Sequence, residues 1–270
     1  MARRARLDAE LVRRGLARSR DHAAELVAQR RVRVGGVTAT KPATGVDADT
    51  PLLVRAEDEP AWVSRGARKL LGGLDHLIAG GPTVTGRRCL DAGASTGGFT
   101  EVLLHRGARE VVAVDVGYGQ LAWSLRTDQR VQVHDRTNVR TLQPETIGGA
   151  VDLTVADLSF ISLRLALPAL VRCTSPEGDL LPMVKPQFEV GRERLGAGGV
   201  VRDPLLRAQA MLDIVVAGTD LGLCLVDATA SPLPGPSGNV EYFLWLRRGV
   251  PDPRRPAEEL VHAAVRRGPQ

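Results

Sequence analysis

Hydrophobic residues keep a helical rhythm near the start of the chain and then change to strand-like alternation. Apolar residues of segment 7–12 recur at helical spacing, and Ser19 stands where it can cap a second helix. Valines of segment 32–34 alternate with arginine, and the Gly-Gly pair at 35–36 favours a turn before a second strand-like run at 50–55. This pattern predicts a helix–helix–hairpin unit of about 55 residues.

From residue 87 onward, short apolar runs alternate with helical segments. The strand-like runs are RRCLDAG, VVAVDVG, VQVHDR, VDLTVAD and DLLPMVK. Helical segments such as 99–106 and 163–172 stand between or after them, and a further helix is predicted at 64–80, with Ser64 as its N-cap. Such alternation is typical of an α/β domain with a doubly wound, Rossmann-like parallel sheet. The last run, VEYFLWLR, is expected to be an antiparallel strand at the edge of that sheet.

These two patterns predict two domains joined by a short linker. We place a small α+β domain at 1–59, a linker at 60–63 and the doubly wound domain at 64–270. The linker follows an acidic stretch and contains Pro60, which lacks an N–H and fixes φ, and Trp62, which we expect to be exposed.

Positive charge is concentrated at the start of the chain. Net charge is +5, but the first 41 residues hold 11 basic against 4 acidic side chains, and the remainder 25 against 27. A local basic footprint favours a nucleic-acid-binding module, with a solvated basic face as the alternative.

Cysteine spacing and hydropathy favour a cytoplasmic protein. Cys89, Cys173 and Cys224 form no CxxC pair, so we expect reduced thiols and neither a disulfide framework nor a metal site. No apolar run reaches membrane-spanning length, and the first residues lack the apolar core of a signal peptide.

A glycine-rich turn follows the first predicted strand of the large domain. It reads D-x-G-x-S-x-G-G-F from Asp91, which lacks the second glycine of the dinucleotide fingerprint and suits S-adenosylmethionine better than NAD. Asp91 is placed to orient a bound water or the ammonium group of the ligand, and Asp115 ends the next strand, where a carboxylate accepts bonds from ribose hydroxyls. The predicted cofactor contacts are Asp91, Gly93, Ser95, Thr96, Gly97, Gly98, Phe99, Asp115 and Asp157.

Charged residues also stand at the tips of three later strands. Asp157 and Lys185 end two parallel runs, and Glu241 begins the antiparallel one, so all three are expected at one sheet edge. Lysine is rare here, with three among 36 basic residues, and an amine that can lose its proton suits activation of a ribose 2′-hydroxyl, unlike arginine.

These motifs resemble the TlyA (haemolysin A-like) rRNA cytidine-2′-O-methyltransferases over nearly the whole chain. The resemblance is carried by DAGASTGGFTEVLL, ADLSFISL, VKPQFEVG and SPLPGPSGNVEYFLWLR, and the N-terminal pattern is similar to an S4 RNA-binding domain. It implies a K-D-K-E catalytic set, as in FtsJ-like enzymes, at Lys69, Asp157, Lys185 and Glu241. It also implies that Phe160 lines the S-adenosylmethionine pocket. The implied RNA contacts are Arg4, Arg6, Arg18, Arg20 and Lys41, with rRNA of the 30S and 50S subunits as substrate.

Other functions predict different sequence features. A membrane-active haemolysin needs a long apolar or strongly amphipathic segment, and a base methyltransferase often carries an N-P-P-Y motif or a nucleophilic cysteine where this chain has DLSF. A non-catalytic rRNA assembly factor would not need the four charged residues. No membrane or DNA partner is expected. The linker departs from the family's usual R-A-W-V, because Pro60 stands in place of arginine.

Overall fold

The chain forms two compact units with separate hydrophobic cores, and the division falls between residues 61 and 62. The computed structural model describes residues 4–47, 49–54 and 62–268. The expected linker position Pro60 lies outside the described residues, whereas Trp62 and Val63 belong to the second unit.

The first unit is a small α+β domain with short strands. Its elements are β1 (Ala5–Arg6), α1 (Leu7–Arg13), α2 (Arg20–Ala28), β2 (Val32–Val34), β3 (Val37–Thr38), β4 (Gly45–Val46) and β5 (Leu52–Val54). Ser19 caps α2, since its hydroxyl accepts a hydrogen bond from the backbone N–H of His22 at 3.1 Å. Strands β3, β2 and β5 form one antiparallel sheet, and β1 pairs with β4 in a second that the alternation pattern missed. Two residues per strand are too few to show a period.

The second unit alternates strands and helices as the sequence predicts. Its elements are α3 (Arg65–His76), β6 (Arg88–Ala92), α4 (Gly98–His105), β7 (Glu110–Val114), α5 (Trp123–Arg126), β8 (Val131–His134), β9 (Val151–Ala156), α6 (Leu163–Cys173), β10 (Thr174–Val184), α7 (Pro204–Thr219), β11 (Leu223–Ala230), β12 (Tyr242–Arg248) and α8 (Ala257–Arg267). Short 3₁₀ turns connect several of them, including Ile78–Gly80 and Pro186–Phe188.

Seven strands form one sheet in the order β11-β12-β10-β9-β6-β7-β8. Only β12 runs antiparallel to its neighbours, which confirms the predicted direction of the last strand. Its expected place was wrong, because β12 lies between β10 and β11 and β11 forms the edge. The side chains at 242–246 are buried, as suits a strand with neighbours on both sides.

Helices cover both faces of this sheet, so the predicted doubly wound architecture is confirmed. One core is formed by α6, α7 and α8, with Leu167, Met211 and Val261 among its buried residues. The other core is formed with α3 and α4, and contains Leu70 and Leu103. Burial on both faces explains why the parallel strands read as continuous apolar runs.

Trp62 is buried and not exposed as expected. Its ring is 6% exposed and makes an edge-to-face contact with His105, with centroids 5.3 Å apart. The backbone N–H of the next residue, Val63, donates to Glu101 Oε2 at 2.7 Å. The polar residues around Trp62 suggested a surface linker, but an aromatic ring this large gains stability by packing against α4.

The three cysteines are free thiols, with Cys89 and Cys173 buried. In the part of the chain that the structure describes, no helix combines the length and apolar character that crossing a bilayer requires.

Candidate active site

The glycine-rich turn after β6 contains two glycines with positive φ at which a side chain would clash. Gly93 has φ +87°, and a Cβ atom there would lie 2.6 Å from the carbonyl oxygen of Asp157. Gly97 has φ +98°, and its Cβ would lie 2.3 Å from a methyl group of Leu125. The turn therefore packs directly against the end of β9 on one side and α5 on the other.

Gly98 and Phe99, two of the predicted cofactor contacts, pack against other parts of the domain. Gly98 packs against the start of α3, since a Cβ atom would lie 2.7 Å from the backbone nitrogen of Ala67. The Phe99 ring is buried against Phe243, with centroids 5.9 Å apart, so only its backbone could meet a ligand. Ser95 and Thr96 are the exposed residues of the turn.

Asp91 is a fully buried carboxyl group with one unpaired oxygen. Its Oδ2 accepts a hydrogen bond from Thr100 Oγ1 at 2.7 Å, and its Oδ1 has no partner among the described residues. Burial, reinforced by the negative charge of Asp157, raises the pKa of Asp91 from its usual 3.8 to about 7. A cationic group placed at Oδ1 would satisfy this carboxylate.

Asp115 lies just beyond β7 and joins two turns. Its Oδ2 accepts from the backbone N–H of Ser95 at 2.8 Å, and its Oδ1 from that of Gly117 at 2.6 Å. Ser95 has φ +47°, an uncommon conformation for a residue with a side chain. Two N–H donors thus hold the carboxylate at the carboxyl end of the sheet, where a ribose can reach it.

Two ion pairs, one fully buried and one half-buried, stand at the carboxyl end of the parallel strands. Lys69 Nζ, on α3, lies 2.5 Å from Glu241 Oε2, and the two side chains are 9% and 1% exposed. Lys185 Nζ lies 2.5 Å from Asp157 Oδ1 and donates a hydrogen bond to Ser159 Oγ at 2.8 Å. The structure therefore brings each lysine of the predicted set to one carboxylate of that set.

Sheet register explains why these pairs are neighbours. Ala92 is paired with Ala156, and Val184 is paired with Tyr242, so the residues that follow or precede them occupy adjacent strand tips. Glu241 comes before β12 and Lys185 after β10, and their opposite strand directions bring them to one edge. The antiparallel direction of β12 is what places Glu241 there.

Phe160 follows in the loop after β9 and is strongly exposed. Its side chain is 92% exposed, its backbone has φ +64°, and its ring lies 5.5 Å from that of Phe188. The structure thus places Phe160 on the surface, in the loop at the carboxyl end of β9.

The predicted RNA-contacting residues of the first unit are all exposed. Arg6 and Arg20 share one carboxylate, since their Nη2 atoms lie 2.8 and 3.1 Å from Asp8 Oδ2. Arg4 lies 3.5 Å from Asp47, and both Arg18 and Lys41 are exposed. Asp8 itself is buried and was missed in the sequence, although its place in the R-L-D motif was a usable signal.

Residues 185–189 contain a second residue that the sequence analysis missed. Glu189 is 5% exposed and accepts hydrogen bonds from Ser162 Oγ at 2.6 Å and from the backbone N–H of Leu163 at 2.7 Å. An acidic residue inside the motif VKPQFEVG was visible in the sequence, but its partners belong to another loop.

Comparison with known proteins agrees with this geometry. The family model "FtsJ-like methyltransferase" matches residues 62–248, and the S4 domain model matches residues 5–50. The 16S/23S rRNA (cytidine-2′-O)-methyltransferase TlyA of Mycobacterium tuberculosis is 62% identical, with all of both chains aligned. Hemolysin A of Brachyspira hyodysenteriae is 34% identical over 88% of this chain and 98% of its own length.

Among solved structures, a hemolysin-named protein from Streptococcus thermophilus is similar over 98% of this chain and 97% of its own, with a TM-score of 0.72 and 34% identity. A family model that covers most of the chain and a relative that aligns from end to end together place the protein. The chain is a methyltransferase that belongs to the TlyA group of FtsJ-like methyltransferases, with an S4 domain preceding the methyltransferase domain.

Proposed function

We propose that this protein transfers a methyl group from S-adenosylmethionine to the 2′-hydroxyl of cytidine in 16S and 23S rRNA within ribosomal subunits. The observation that carries the proposal is the convergence of two lysine–carboxylate pairs, Lys69–Glu241 buried and Lys185–Asp157 half-buried, at the end of the sheet that also holds the glycine-rich turn. Burying charged groups costs desolvation energy, so the burial of Lys69, Lys185 and Glu241 beside one another favours a chemical role over a purely structural one.

The residues around the turn fit S-adenosylmethionine. The unpaired Oδ1 of Asp91 can receive the ammonium of the amino-acid moiety or a water that binds it, and Asp115 can accept bonds from the ribose hydroxyls. We assign further contacts to Gly93, Ser95, Thr96, Gly97, Gly98, the backbone of Phe99, Asp157 and Phe160. The cofactor, when bound, supplies a methyl group already activated on a sulfonium.

Lys185 is assigned to the substrate hydroxyl. Asp157 and Ser159 fix the position of its amine. In its neutral form, Nζ can accept the proton that the 2′-hydroxyl loses as the bond between the 2′-oxygen and the methyl carbon forms. Lys69 and Glu241 form a charge-balanced pair beside it, which we assign to orienting the ribose. Arginine could not replace Lys185, because a guanidinium stays protonated.

The two units divide the work in this proposal. The first, residues 1–59, grips rRNA through Arg4, Arg6, Arg18, Arg20 and Lys41, and residues 64–270 perform the transfer, joined by residues 60–63. A guanidinium can form bidentate hydrogen bonds with a phosphate. Arg6 and Arg20 suit this role, because Asp8 holds their side chains close together. An enzyme of ribosomal subunits works in the cytoplasm, where those subunits are.

Transfer of a tritiated methyl group to isolated 30S and 50S subunits that lack the modification tests the proposal. We expect label at a cytidine whose phosphodiester bond then resists alkaline cleavage, because a methylated 2′-oxygen cannot attack the phosphate. Lys185→Ala and Lys185→Arg should both lose at least about 100-fold in rate. The control is Arg109→Ala, which removes an exposed basic side chain just before β7, at the amino end of the parallel strands, and should behave as wild type.

Three results would contradict the proposal. They are label that alkali releases, undiminished transfer by Lys185→Ala, and binding of subunits without any transfer. The last result would identify a non-catalytic assembly factor.

A further inference from the structure

Two loops carry the Asp157–Lys185 pair, and each is tied to the other at more than one point. The loop after β9 runs from Asp157 to Ser162, and the loop after β10 runs from Lys185 to Glu189. Their near ends meet through the ion pair and the bond from Lys185 to Ser159. Their far ends meet at Glu189.

The carboxylate of Glu189 makes this far connection with both oxygens. Oε2 accepts from Ser162 Oγ at 2.6 Å and Oε1 from the backbone N–H of Leu163 at 2.7 Å. Arg164 Nε lies 3.8 Å from Oε2, on the same side. Because Leu163 begins α6 and is buried in the core, the carboxylate fastens the second loop to a rigid element.

Glu189 is also joined closely to Lys185 through the chain. The 3₁₀ turn Pro186–Phe188 separates them, with Phe188 N–H donating to the Lys185 carbonyl at 2.9 Å and Glu189 N–H to the Pro186 carbonyl at 3.0 Å. A displacement of Glu189 would therefore move Lys185.

Between the two connections lies a residue in an unfavourable conformation. Phe160 has φ +64°, which side chains rarely adopt, and its exposed ring has one aromatic neighbour, Phe188. Such a conformation persists when the surrounding structure fixes the backbone on both sides. Ser159 is fixed by Lys185 on one side, and Ser162 by Glu189 on the other.

We propose that Glu189 is a positioning residue that holds the Asp157 and Lys185 loops in the geometry required for methyl transfer. The proposal rests on the proposed function, because it assigns Lys185 to the substrate hydroxyl. Loss of the carboxylate would let the amine move relative to the ribose, and a misplacement near 1 Å lowers rates by about 100-fold.

The test compares kcat of Glu189→Ala and Glu189→Gln with that of the wild type. Each kcat is expressed per functional site, and calorimetry with S-adenosylmethionine counts those sites. Glu189→Ala should lose between about 10- and 100-fold in kcat, with KM for S-adenosylmethionine changed less than about twofold. Glu189→Gln should stay within about threefold of wild type, because its amide oxygen can accept from Leu163 N–H while its NH₂ donates to Ser162 Oγ.

The matched control is Asp203→Ala. Asp203 caps α7, a helix that contacts the turn Pro186–Phe188, by accepting from Leu205 N–H at 2.8 Å. Its loss removes a helix cap but no hydrogen bond between the two loops, so it should leave kcat unchanged. If Glu189→Ala fails to fold, Ser162→Ala decides the question. It removes one bond to Glu189 and also the N-cap of α6, a loss that Asp203→Ala matches at α7, and it should lower kcat at least about threefold.

Wild-type kcat per site in Glu189→Ala, or in Ser162→Ala when that variant is needed, would overturn the inference. Equal losses in the Gln and Ala variants, or an equal loss in Asp203→Ala, would also overturn it. Lys185→Ala separates the two levels: if that variant is inactive while Glu189→Ala is active, only the role of Glu189 fails. If Lys185→Ala is active, the proposed function fails as well.

Discussion

At the scale of single residues, Asp91 couples folding to pH. Its pKa of about 7 in the folded chain lies above the usual 3.8, so the folded state holds the proton more tightly than the unfolded chain. Stability from this residue is fully present below about pH 4, falls as pH rises, and is lost above about pH 7. The cause is burial of a carboxylate that lacks a cation.

We therefore predict that Asp91→Asn becomes more stable relative to the wild type as pH rises. The difference in unfolding free energy, measured by urea denaturation of the ligand-free proteins, should grow between pH 4 and pH 8 by at most about 4 kcal/mol. The same variant should bind S-adenosylmethionine at least about tenfold more weakly in calorimetry, because an amide lacks the charge that pairs with an ammonium. A stability difference that does not change with pH would contradict the burial argument.

The pair of Lys69 and Glu241 predicts a non-additive double-mutant cycle. Lys69→Met or Glu241→Met alone leaves one buried charge uncompensated and should cost about 3 to 5 kcal/mol of unfolding free energy. The double variant should be more stable than either single variant, because both charges are gone. All three should be inactive in methyl transfer, which separates stability from catalysis, whereas additive stability losses would mean that the two charges do not interact.

At the scale of elements, the turn between β6 and α4 depends on close backbone approach. Gly93 and Gly86 both have positive φ, +87° and +74°, but a Cβ at Gly86 would meet no atom within 4 Å. This difference separates backbone strain from contact with the next strand.

Gly93→Ala should therefore cost more stability than Gly86→Ala. Both carry the cost of a side chain at positive φ, about 1 kcal/mol, and Gly93→Ala must also displace the carbonyl of Asp157. Thermal unfolding of both variants measures the difference, and methyl transfer should fall only in Gly93→Ala, since Asp157 moves with its backbone. Equal melting temperatures would show that the turn tolerates the contact.

At the scale of the whole molecule, the excess of positive charge lies at the start of the chain and not in the remainder. The first 41 residues hold 11 of the 36 basic side chains and 4 of the 31 acidic ones, and the exposed Arg6 and Arg20 lie together on Asp8. In the proposed function these arginines contact phosphates, and such contacts release counterions, so we expect affinity for rRNA to fall as salt rises.

The double variant Arg6→Ala/Arg20→Ala should weaken this salt dependence. If each arginine neutralises one phosphate, the slope of log affinity against log salt concentration should decrease in magnitude by about 1.5 to 2. Filter binding of subunits between 50 and about 200 mM salt measures the slope. Arg254→Ala, which removes an 87% exposed arginine of the catalytic unit, is the control and should leave the slope unchanged; equal slopes in all proteins would remove the pair from the interface.

Sequence alone determined the order and kind of the main elements, because helices and strands that pack on a core have different spacings of apolar residues along the chain. It also identified the glycine-rich turn and the charged strand tips at Asp157, Lys185 and Glu241, since α/β chains place ligand-binding residues after their parallel strands. Lys69 came from the family resemblance, as no spacing along α3 distinguishes it.

Tertiary structure decided what depends on partners distant in the chain. It placed β12 inside the sheet, buried Trp62 against His105, and gave Asp8 and Glu189 their partners on other segments. Hydrogen bonds and ion pairs form between groups that folding brings within about 3 Å, and a one-dimensional pattern holds no information on such distances. The pairing of Lys69 with Glu241 and of Lys185 with Asp157 is a property of the folded chain.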